Sequence, residues 1–272
     1  MTGAGDDGDR PLPPLPRTYE RVLAICAHPD DAEFMFGGTV ARLIESGSDV
    51  AYLVCTDGML GGEDPEVDAA ELGARRRAEQ RAAADRLGVG VITFLGLADG
   101  TLVAGPRLRK LLSRVIRTAR PDLLLTHQPV RSLVFPIGAS HPDHLAVGEA
   151  ALCAAFPDAG NPRAFPELLA EGLAPHAVAE VWVPGFEHTS FHVALDRRHV
   201  TAKQEAILRH ASQFERSPSP EDAISWVGER MAGYGPAAGS DWGEGFVRVV
   251  CGTSAGPAVP AGGPTDVPPR GG

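Results

Sequence analysis

The chain has 272 residues, is 43% hydrophobic and 22% charged, and carries a formal net charge of −10 at pH 7. A chain of this length holds one large α/β domain or two small ones. Its acidic balance argues against nucleic acids and anionic membranes as main partners. Residues 1–17 lack the basic start and apolar core of a signal peptide, and no apolar run nears the ~18 residues of a membrane helix. We therefore expect a cytoplasmic protein with no membrane insertion.

Apolar runs and helical spacings alternate along the first half of the chain. The runs predict four strands, at 22–26, 50–55, 91–95 and 123–125, of which the first is expected to be buried. Helical patterns follow each of the first three, ending near residue 46, covering 67–87 and spanning about 108–116. Strands that alternate with helices are typical of βαβ units. We therefore predict an α/β fold with a Rossmann-like, mostly parallel sheet flanked by helices.

The second half of the chain continues with a different order of elements. The pattern predicts a helix from 145 to 156 and two strands, at 179–183 and 191–195. Helices at 202–214 and 223–231 follow, and a strand at 246–250 closes the fold. No linker interrupts this region, so residues 18–252 are interpreted as a single domain.

Composition sets this domain apart from both ends of the chain. Residues 1–17 are polar and proline-rich and are expected to form a flexible leader. Residues 253–272 are mostly glycine, proline, alanine and threonine, which predicts a disordered tail. The four cysteines lie far apart in sequence and are interpreted as buried free thiols.

Two polar clusters stand out from this pattern. His28, Asp30 and Asp31 come directly after the first predicted strand, and a Ser-His-Pro-Asp-His string occupies residues 140–144. Open α/β sheets place their ligand sites at the carboxyl ends of the strands. His28 and Asp31 are close enough in a tight turn to face one ion, and His144 can join them from a second loop. Two imidazoles and a carboxylate form a set that leaves a position open on catalytic zinc.

Acid and base groups remain beside this candidate metal set. Asp30 is free to act as a general base, and His141 can act as a general acid or stabilise an oxyanion. A metal held only for structural reasons needs no such spare base. The residues therefore favour a hydrolytic enzyme over a purely structural metal site.

The same motifs resemble those of a known family. Residues 27–33 (AHPDDAE), the Gly-Gly-Thr that follows at 37–39, and the His-Pro-Asp-His at 141–144 are similar to the PIG-L/LmbE-like zinc deacetylases. Members remove acetyl groups from N-acetylglucosamine-containing substrates of the phosphatidylinositol glycan, mycothiol and bacillithiol pathways. Some act on glycopeptide antibiotic pseudoaglycones and remove acetyl or longer acyl groups. The resemblance covers roughly residues 20–250.

The resemblance implies a role for each residue of the two clusters. The metal would be zinc, with iron(II) as the alternative, and its ligands would be His28, Asp31 and His144. Asp30 would be the general base. The remaining two positions would be His141, which stabilises the oxyanion or protonates the leaving amine, and Asp143, which orients it.

Further positions match the family pattern outside these clusters. Arg76, in an Arg-x-x-Glu string, is a candidate contact for substrate hydroxyls or phosphate, with a surface arginine as the alternative interpretation. Asp99 lies in a loop that resembles the one whose aspartate binds sugar hydroxyls. A C-terminal pattern with Lys203, His210 and Ser212 is interpreted mainly as structural support of the pocket. His127 has no motif around it and is interpreted as a surface or packed histidine.

The sequence says least about the substrate. The motifs indicate a small-molecule amino-sugar conjugate, and the oligomeric state stays open, a homo-oligomer included. Residues 129–139 form an apolar approach to His141 that suggests a lid or a bulky, less polar substrate portion, such as a glycopeptide pseudoaglycone. The alternatives are a mycothiol- or bacillithiol-type precursor and a non-catalytic Rossmann-like metal-binding module.

Overall fold

Seven strands form one sheet through the centre of the computed structural model, which describes residues 11–62, 64 and 66–251. The strands are β1 Arg21–Cys26, β2 Asp49–Thr56, β3 Val91–Leu97, β4 Leu123–Thr126, β5 Glu180–Pro184, β6 Phe191–Leu195 and β7 Trp242–Val250. Their order is β3-β2-β1-β4-β5-β7-β6. Neighbours among β1 to β5 pair in parallel, and β7 runs antiparallel to both β5 and β6. The predicted mostly parallel α/β sheet is confirmed.

Strand β1 shows why this sheet lies in the middle of the molecule. Val22, Ala24 and Cys26 point into one hydrophobic cluster, and Leu23 and Ile25 point into the other. Side chains of a strand alternate between the two faces, so an apolar residue at every position buries both. The strand therefore needs helices on each side of the sheet.

Helices supply this cover, and eight α-helices lie within the part of the chain that the structure describes. They are α1 Asp31–Glu45, α2 Ala69–Leu87, α3 Pro106–Ala119, α4 Pro142–Cys153, α5 Pro166–Ala170, α6 Arg197–Ile207, α7 Pro220–Ala223 and α8 Ser225–Ala238. Buried side chains of α1, α2, α6 and α8 belong to the first cluster, while those of α3 and α4 belong to the second. The sheet is thus the middle layer of three.

The strand order places a crevice beside β1 and β4. These strands are hydrogen-bonded neighbours, with Ile25 opposite Thr126. The chain leaves β1 toward β2 and leaves β4 toward β5, so the order reverses between them. Loops that diverge from neighbouring carboxyl ends open a crevice at this point of an α/β sheet. Residues that follow Cys26 and Thr126 therefore meet there.

Several predicted boundaries differ from the structure. Helix α4 ends at Cys153 rather than at 156, and the turn after it contains Pro157, which has no N–H for a helical hydrogen bond. Helix α6 begins earlier than the predicted 202, because Asp196 and the side chain of His199 form a capping box at its first turn. It ends at Ile207, well before 214. The short helices α5 and α7 were not predicted.

The two ends of the chain are only partly described. Residues 1–10 of the predicted leader and all of the predicted tail, 253–272, lie outside the described residues. Residues 11–17 contain no helix or strand, although Leu15 packs against the core and the oxygen of Pro13 accepts a hydrogen bond from Arg42. The four cysteines are free, as predicted, and Cys26 and Cys55 are buried. Cys153 and Cys251 are partly exposed, so the prediction of burial is wrong for these two. Among the described residues, no helix is long and apolar enough to cross a membrane.

Candidate metal centre and active site

Three side chains converge at the carboxyl end of β1. Nδ1 of His28 lies 3.2 Å from Nε2 of His144 and 3.5 Å from Oδ2 of Asp31, and Oδ1 of Asp31 lies 3.0 Å from Nε2 of His144. Asp31 is 6% exposed and His28 8%. The sequence predicted that these residues meet at one edge of the sheet, and the structure brings them together there. His144 lies in the first turn of α4 and not, as predicted, in a loop.

The spacing of these atoms suits one small divalent ion. Tetrahedral ligands about 2.1 Å from zinc are separated by roughly 3.4 Å. The contacts between these three residues, two of which use different oxygens of Asp31, lie between 3.0 and 3.5 Å. Two neutral imidazoles and a carboxylate also match the donors that zinc and iron(II) accept. A backbone hydrogen bond of 2.7 Å from N of His28 to Oδ2 of Asp31 holds the turn in this shape. The residues present therefore fit a metal centre.

The far side of the His28 ring faces two more carboxylates. Nε2 of His28 lies 3.0 Å from Oδ1 of Asp99 and 3.3 Å from Oδ2 of Asp143. Burial alone would lower the pKa of His28, but hydrogen bonds with Asp143, Asp31 and Asp99 raise it well above its ordinary value. A carboxylate on the second nitrogen of a metal-binding histidine fixes the orientation of the ring.

These contacts differ from two roles that the resemblance implied. The Asp143 carboxylate is fully buried and accepts the N–H groups of Gly100 at 2.8 Å and Leu102 at 3.0 Å, besides its contact with His28. It therefore does not bind the His141 ring. Asp99 accepts the N–H of Leu60 at 2.9 Å and is 8% exposed, so its carboxylate faces His28 rather than open solvent.

Asp30 adopts an unusual backbone conformation beside the triangle. Its φ is +96°, a region that side-chain-bearing residues rarely occupy. Its N–H donates to Oε1 of Gln80 at 2.9 Å, and its Oδ2 accepts a hydrogen bond from Arg76 at 3.1 Å. Burial raises the pKa of the Asp30 carboxyl to about 6, while the charge of Arg76 acts in the opposite direction. Interactions from α2 thus hold both the backbone and the carboxylate of Asp30.

Arg76 is buried rather than presented to a ligand. The residue is 4% exposed, and its guanidinium donates to the oxygens of Gly58 at 2.6 Å and Pro29 at 2.7 Å. A Cβ at Gly58 would lie 2.3 Å from Nη1 of Arg76, and φ there is +65°, so only glycine lets the loop wrap this group. The guanidinium ties two loops together at the site.

A fully buried hydrogen-bond network holds the side chain of Gln80 in place. Nε2 of Gln80 donates to both oxygens of Glu33, at 3.0 and 3.1 Å. Oε2 of Glu33 in turn lies 3.1 Å from Nε2 of His210, and all three residues are 0% exposed. The pattern around His210 was interpreted as structural support, and its contacts agree with that interpretation.

Lys203 and Ser212, from the same C-terminal pattern, also bind other elements. Nζ of Lys203 donates to Oε1 of Glu244 at 2.6 Å and to the oxygen of Phe34 at 2.8 Å. Ser212 bonds the carboxylate of Glu79 through its N–H at 2.9 Å and its hydroxyl at 2.6 Å. These contacts tie α6 and the turn after it to the helices that frame the site.

His141 stands at the start of α4 with one nitrogen turned toward the backbone. Its Nδ1 accepts the N–H of Asp143 at 3.2 Å. The neutral ring therefore carries its proton on Nε2. Its ring centroid lies 4.8 Å from that of His28 and 5.3 Å from that of His144. Burial and the neighbouring charges of His28 and His144 lower the pKa of His141.

His127 also belongs to this cluster, although no motif marked it. The residue is 1% exposed, its ring stacks on His144 with centroids 4.2 Å apart, and its Nε2 lies 3.2 Å from Oδ2 of Asp31. The same nitrogen accepts a hydrogen bond from the N–H of Ala27 at 2.9 Å. This bond occupies the lone pair of Nε2 that a metal ion would need. His127 comes directly after β4, the neighbour of β1, and that position is the signal that could have found it.

A cleft of about 500 Å³ opens from Asp31 and His144. We call it the aromatic cleft, because its walls include Phe34, Phe135, Phe186, Trp226 and Tyr234. Phe135, Pro136, Gly138 and Ala139 come from the apolar segment 129–139, and this agrees with the expectation of an apolar surface near His141.

Comparisons with known proteins agree on one family. The PIG-L family profile, described as GlcNAc-PI de-N-acetylase, matches residues 23–155. A diacetylchitobiose deacetylase of Thermococcus kodakarensis is 36% identical over 206 residues, which cover 75% of this chain and 72% of the relative. A 1D-myo-inositol 2-acetamido-2-deoxy-alpha-D-glucopyranoside deacetylase of Rhodococcus erythropolis is 32% identical, with 74% and 83% covered.

A solved structure extends this likeness to the fold. The N,N'-diacetylchitobiose deacetylase of Pyrococcus horikoshii, in complex with an inhibitor, superposes with a TM-score of 0.78 at 29% identity. The likeness covers 85% of this chain and 84% of that one. With this match and the relatives above, the chain belongs to the PIG-L family and is a deacetylase, a hydrolase of N-acetyl amides.

Proposed function

We propose that the chain is a zinc-dependent N-deacetylase or N-deacylase of a small molecule that contains an N-acylated glucosamine. The observation that carries this proposal is the triangle of His28, Asp31 and His144 with Asp30 beside it. The relatives named above act on N-acetylglucosamine units of a disaccharide and of an inositol glycoside. This supports an amino sugar as the part of the substrate that all these enzymes share.

His28, Asp31 and His144 would hold the ion in this proposal. When bound, zinc would supply Lewis acidity that polarises an amide carbonyl and acidifies a water molecule. Asp99 and Asp143 orient the His28 ring through its Nε2. His127 accepts the N–H of Ala27 and supports the turn, so we do not place it among the ligands.

Asp30 acts as the general base. Its carboxylate is held at 3.1 Å from the guanidinium of Arg76, and its backbone is held by Gln80. A base fixed in this way takes the proton of the attacking water without first reorganising. Arg76, which we expected to contact substrate, is instead proposed as the residue that positions Asp30.

His141 acts at the carbonyl oxygen. Its Nδ1 is already occupied by the N–H of Asp143, so Nε2 carries the proton and donates to the oxyanion that forms as the amide is attacked. The C–N bond then breaks, and the amine leaves with a proton delivered by Asp30 or His141. A carboxylic acid and a free amino sugar are the products.

Two alternatives remain within the same chemistry, and one lies outside it. A mycothiol- or bacillithiol-type precursor and a glycopeptide pseudoaglycone both carry an N-acylated glucosamine. The non-catalytic metal-binding module is disfavoured because such a module gains nothing from Asp30, which is kept in a strained conformation beside the metal set.

The experiment that tests this proposal combines metal analysis with the release of carboxylic acid. The panel holds N,N'-diacetylchitobiose, an N-acetylglucosaminyl inositol and an acylated glycopeptide, each with wild type and Asp30→Ala. We expect about one zinc per chain in both proteins and acid release only by the wild type. Release that persists in Asp30→Ala would refute the role of this residue, and a protein that binds no divalent metal would refute the site.

A further inference from the structure

The aromatic cleft begins at the metal set and not at the rest of the site. Its lining includes Asp31 and His144 but not Asp30, Asp99 or His141. The acyl group of a substrate is bonded to the reacting carbonyl carbon, whereas an aglycone is separated from that carbon by the sugar ring. A group that enters a cleft bounded by the metal ligands themselves is therefore the acyl group or the sugar ring, and not a distant aglycone.

The lining suits an apolar group rather than a sugar. Nζ of Lys203 and the Glu244 carboxylate bind each other at 2.6 Å, and the hydroxyl of Tyr234 donates to the oxygen of Gly185 at 3.1 Å. These polar groups are already used, so a sugar ring would find few hydrogen-bond partners for its several hydroxyls. The aromatic walls would gain contact area with a hydrocarbon chain or an aryl ring.

One charge in this lining remains without a counterion. The Cζ atom of Arg230 lies 4.7 Å from the ring centroid of Phe135 and 5.8 Å from those of Phe186 and Tyr234. Within residues 11–251, as far as they are described, no carboxylate forms an ion pair with this guanidinium. Because Glu244 neutralises Lys203, the cleft keeps the positive charge of Arg230.

Aromatic rings hold a guanidinium in place but do not use its N–H groups. Contacts over ring faces stabilise the cation and restrict its motion, while its donors stay available to an oxygen ligand. A carboxylate is the group that such a planar donor binds with the best geometry. The cleft therefore combines apolar walls with a guanidinium that can bind an anion.

We propose that the aromatic cleft binds the acyl group of the substrate and that Arg230 pairs with a carboxylate at the far end of this group. The inference rests on the proposed amide hydrolysis and names its substrate class, the half-amides of dicarboxylic acids with glucosamine. In the reaction the amide C–N bond breaks, the oxygen of water joins the carbonyl carbon, and the amine takes up the proton. The products are a dicarboxylic acid and the amino sugar, with no change in oxidation state.

The test uses zinc-loaded enzyme and N-acylated glucosamines in matched pairs. The acyl groups are glutaryl, adipoyl and suberoyl, each with a free carboxylate and as its terminal carboxamide, which has nearly the same size without the charge. We expect kcat/KM to favour the carboxylate by about tenfold or more at one chain length, as a charge-assisted hydrogen bond to arginine allows. No preference at any length would overturn the inference.

Variants connect this preference to Arg230. In Arg230→Gln the ratio of carboxylate to carboxamide should fall to about one, and Arg230→Lys should keep part of it. Arg107→Gln is the control, because Arg107 is exposed on α3 and lies on the other side of the sheet; its ratio should equal that of the wild type. A ratio that survives in Arg230→Gln, with the variant folded by circular dichroism, would refute the assignment.

A second pair of substrates tests the direction of binding. Phenyl N-acetylglucosaminides carry a para carboxylate or a para carboxamide on the aglycone. A preference here that depends on Arg230 would overturn the acyl assignment and give the cleft to the aglycone. Hydrolysis of the neutral compounds without any preference would leave the proposed function intact while refuting this inference, and no hydrolysis at all would refute both.

Discussion

The backbone N–H of Asp30 donates to Oε1 of Gln80 at 2.9 Å, although the two residues are 50 positions apart. This bond holds Asp30 at φ +96°, where its side chain lies beside the triangle of His28, Asp31 and His144. Gln80 is itself fixed by Glu33, which no solvent reaches. The conformation of the proposed base is thus set by a buried contact from another helix.

We predict that Gln80→Met lowers kcat by about tenfold to a hundredfold while KM and zinc content change little. The methionine keeps the length of the side chain but accepts no hydrogen bond, so Asp30 moves from its place, and displacements near 1 Å cost rates of this order. Steady-state kinetics and metal analysis check the result. Arg81→Met, an exposed change on α2, is the control, and an unchanged kcat in Gln80→Met would contradict the prediction.

Asp99→Asn separates two roles of this residue. Because the carboxylate faces Nε2 of His28 at 3.0 Å, we expect its loss to weaken zinc binding by about tenfold to a hundredfold. At saturating zinc, the KM for the sugar substrate should stay near that of the wild type. Competition with a chelator gives the zinc affinity. A raised KM with unchanged zinc affinity would instead place Asp99 on the substrate hydroxyls.

His127→Phe tests whether the residue supports the turn or binds the metal. Phenylalanine keeps the stack on His144 but leaves the N–H of Ala27 without an acceptor, which should cost about 1–3 kcal/mol of unfolding free energy. Urea denaturation of the metal-free protein measures this cost, with His188→Phe as an exposed control. The variant should still bind one zinc, and loss of the metal would show that His127 is a ligand.

The contacts of Glu180, which lies outside the candidate site, predict that the stability of the protein depends on pH. Burial alone would raise its pKa, but hydrogen bonds from Arg248, Tyr19 and Trp182 hold it below the ordinary value of 4.5. A depressed pKa means that the folded state favours the ionised form. The contribution to stability is therefore complete above pH 4.5 and is lost as the pH falls through the pKa of the folded state.

We expect Glu180→Gln to be less stable than the wild type by about 1–3 kcal/mol at pH 7. The difference should shrink as the pH falls from 4.5 through the lower pKa of the folded state, because the wild-type carboxyl becomes protonated over this range. Denaturation curves from pH 7 to pH 3 check this trend. Glu229→Gln, at an exposed position of α8, should show no such difference, and a gap that stays constant with pH would contradict the assignment.

The sequence by itself determined the architecture and the clustering of the candidate metal ligands. An unbroken apolar run such as 22–26 predicts a strand buried on both faces. Successive side chains of a strand point to opposite faces, so both faces of such a strand are apolar. The predicted parallel order places the carboxyl ends of β1 and β4 at one edge, so His28, Asp31 and His144 could be brought together without coordinates. Cap positions were harder, as the early start of α6 at Arg197 shows.

Only the tertiary structure decided what the surrounding side chains do. Arg76 and Asp99 match patterns expected to contact substrate, yet one is buried against Pro29 and Gly58 and the other faces His28. Such partners lie tens of residues away and depend on how loops pack, which local patterns do not encode. The aromatic cleft has the same origin, since Phe34, Phe135 and Trp226 come from three separate segments that meet only in the folded chain.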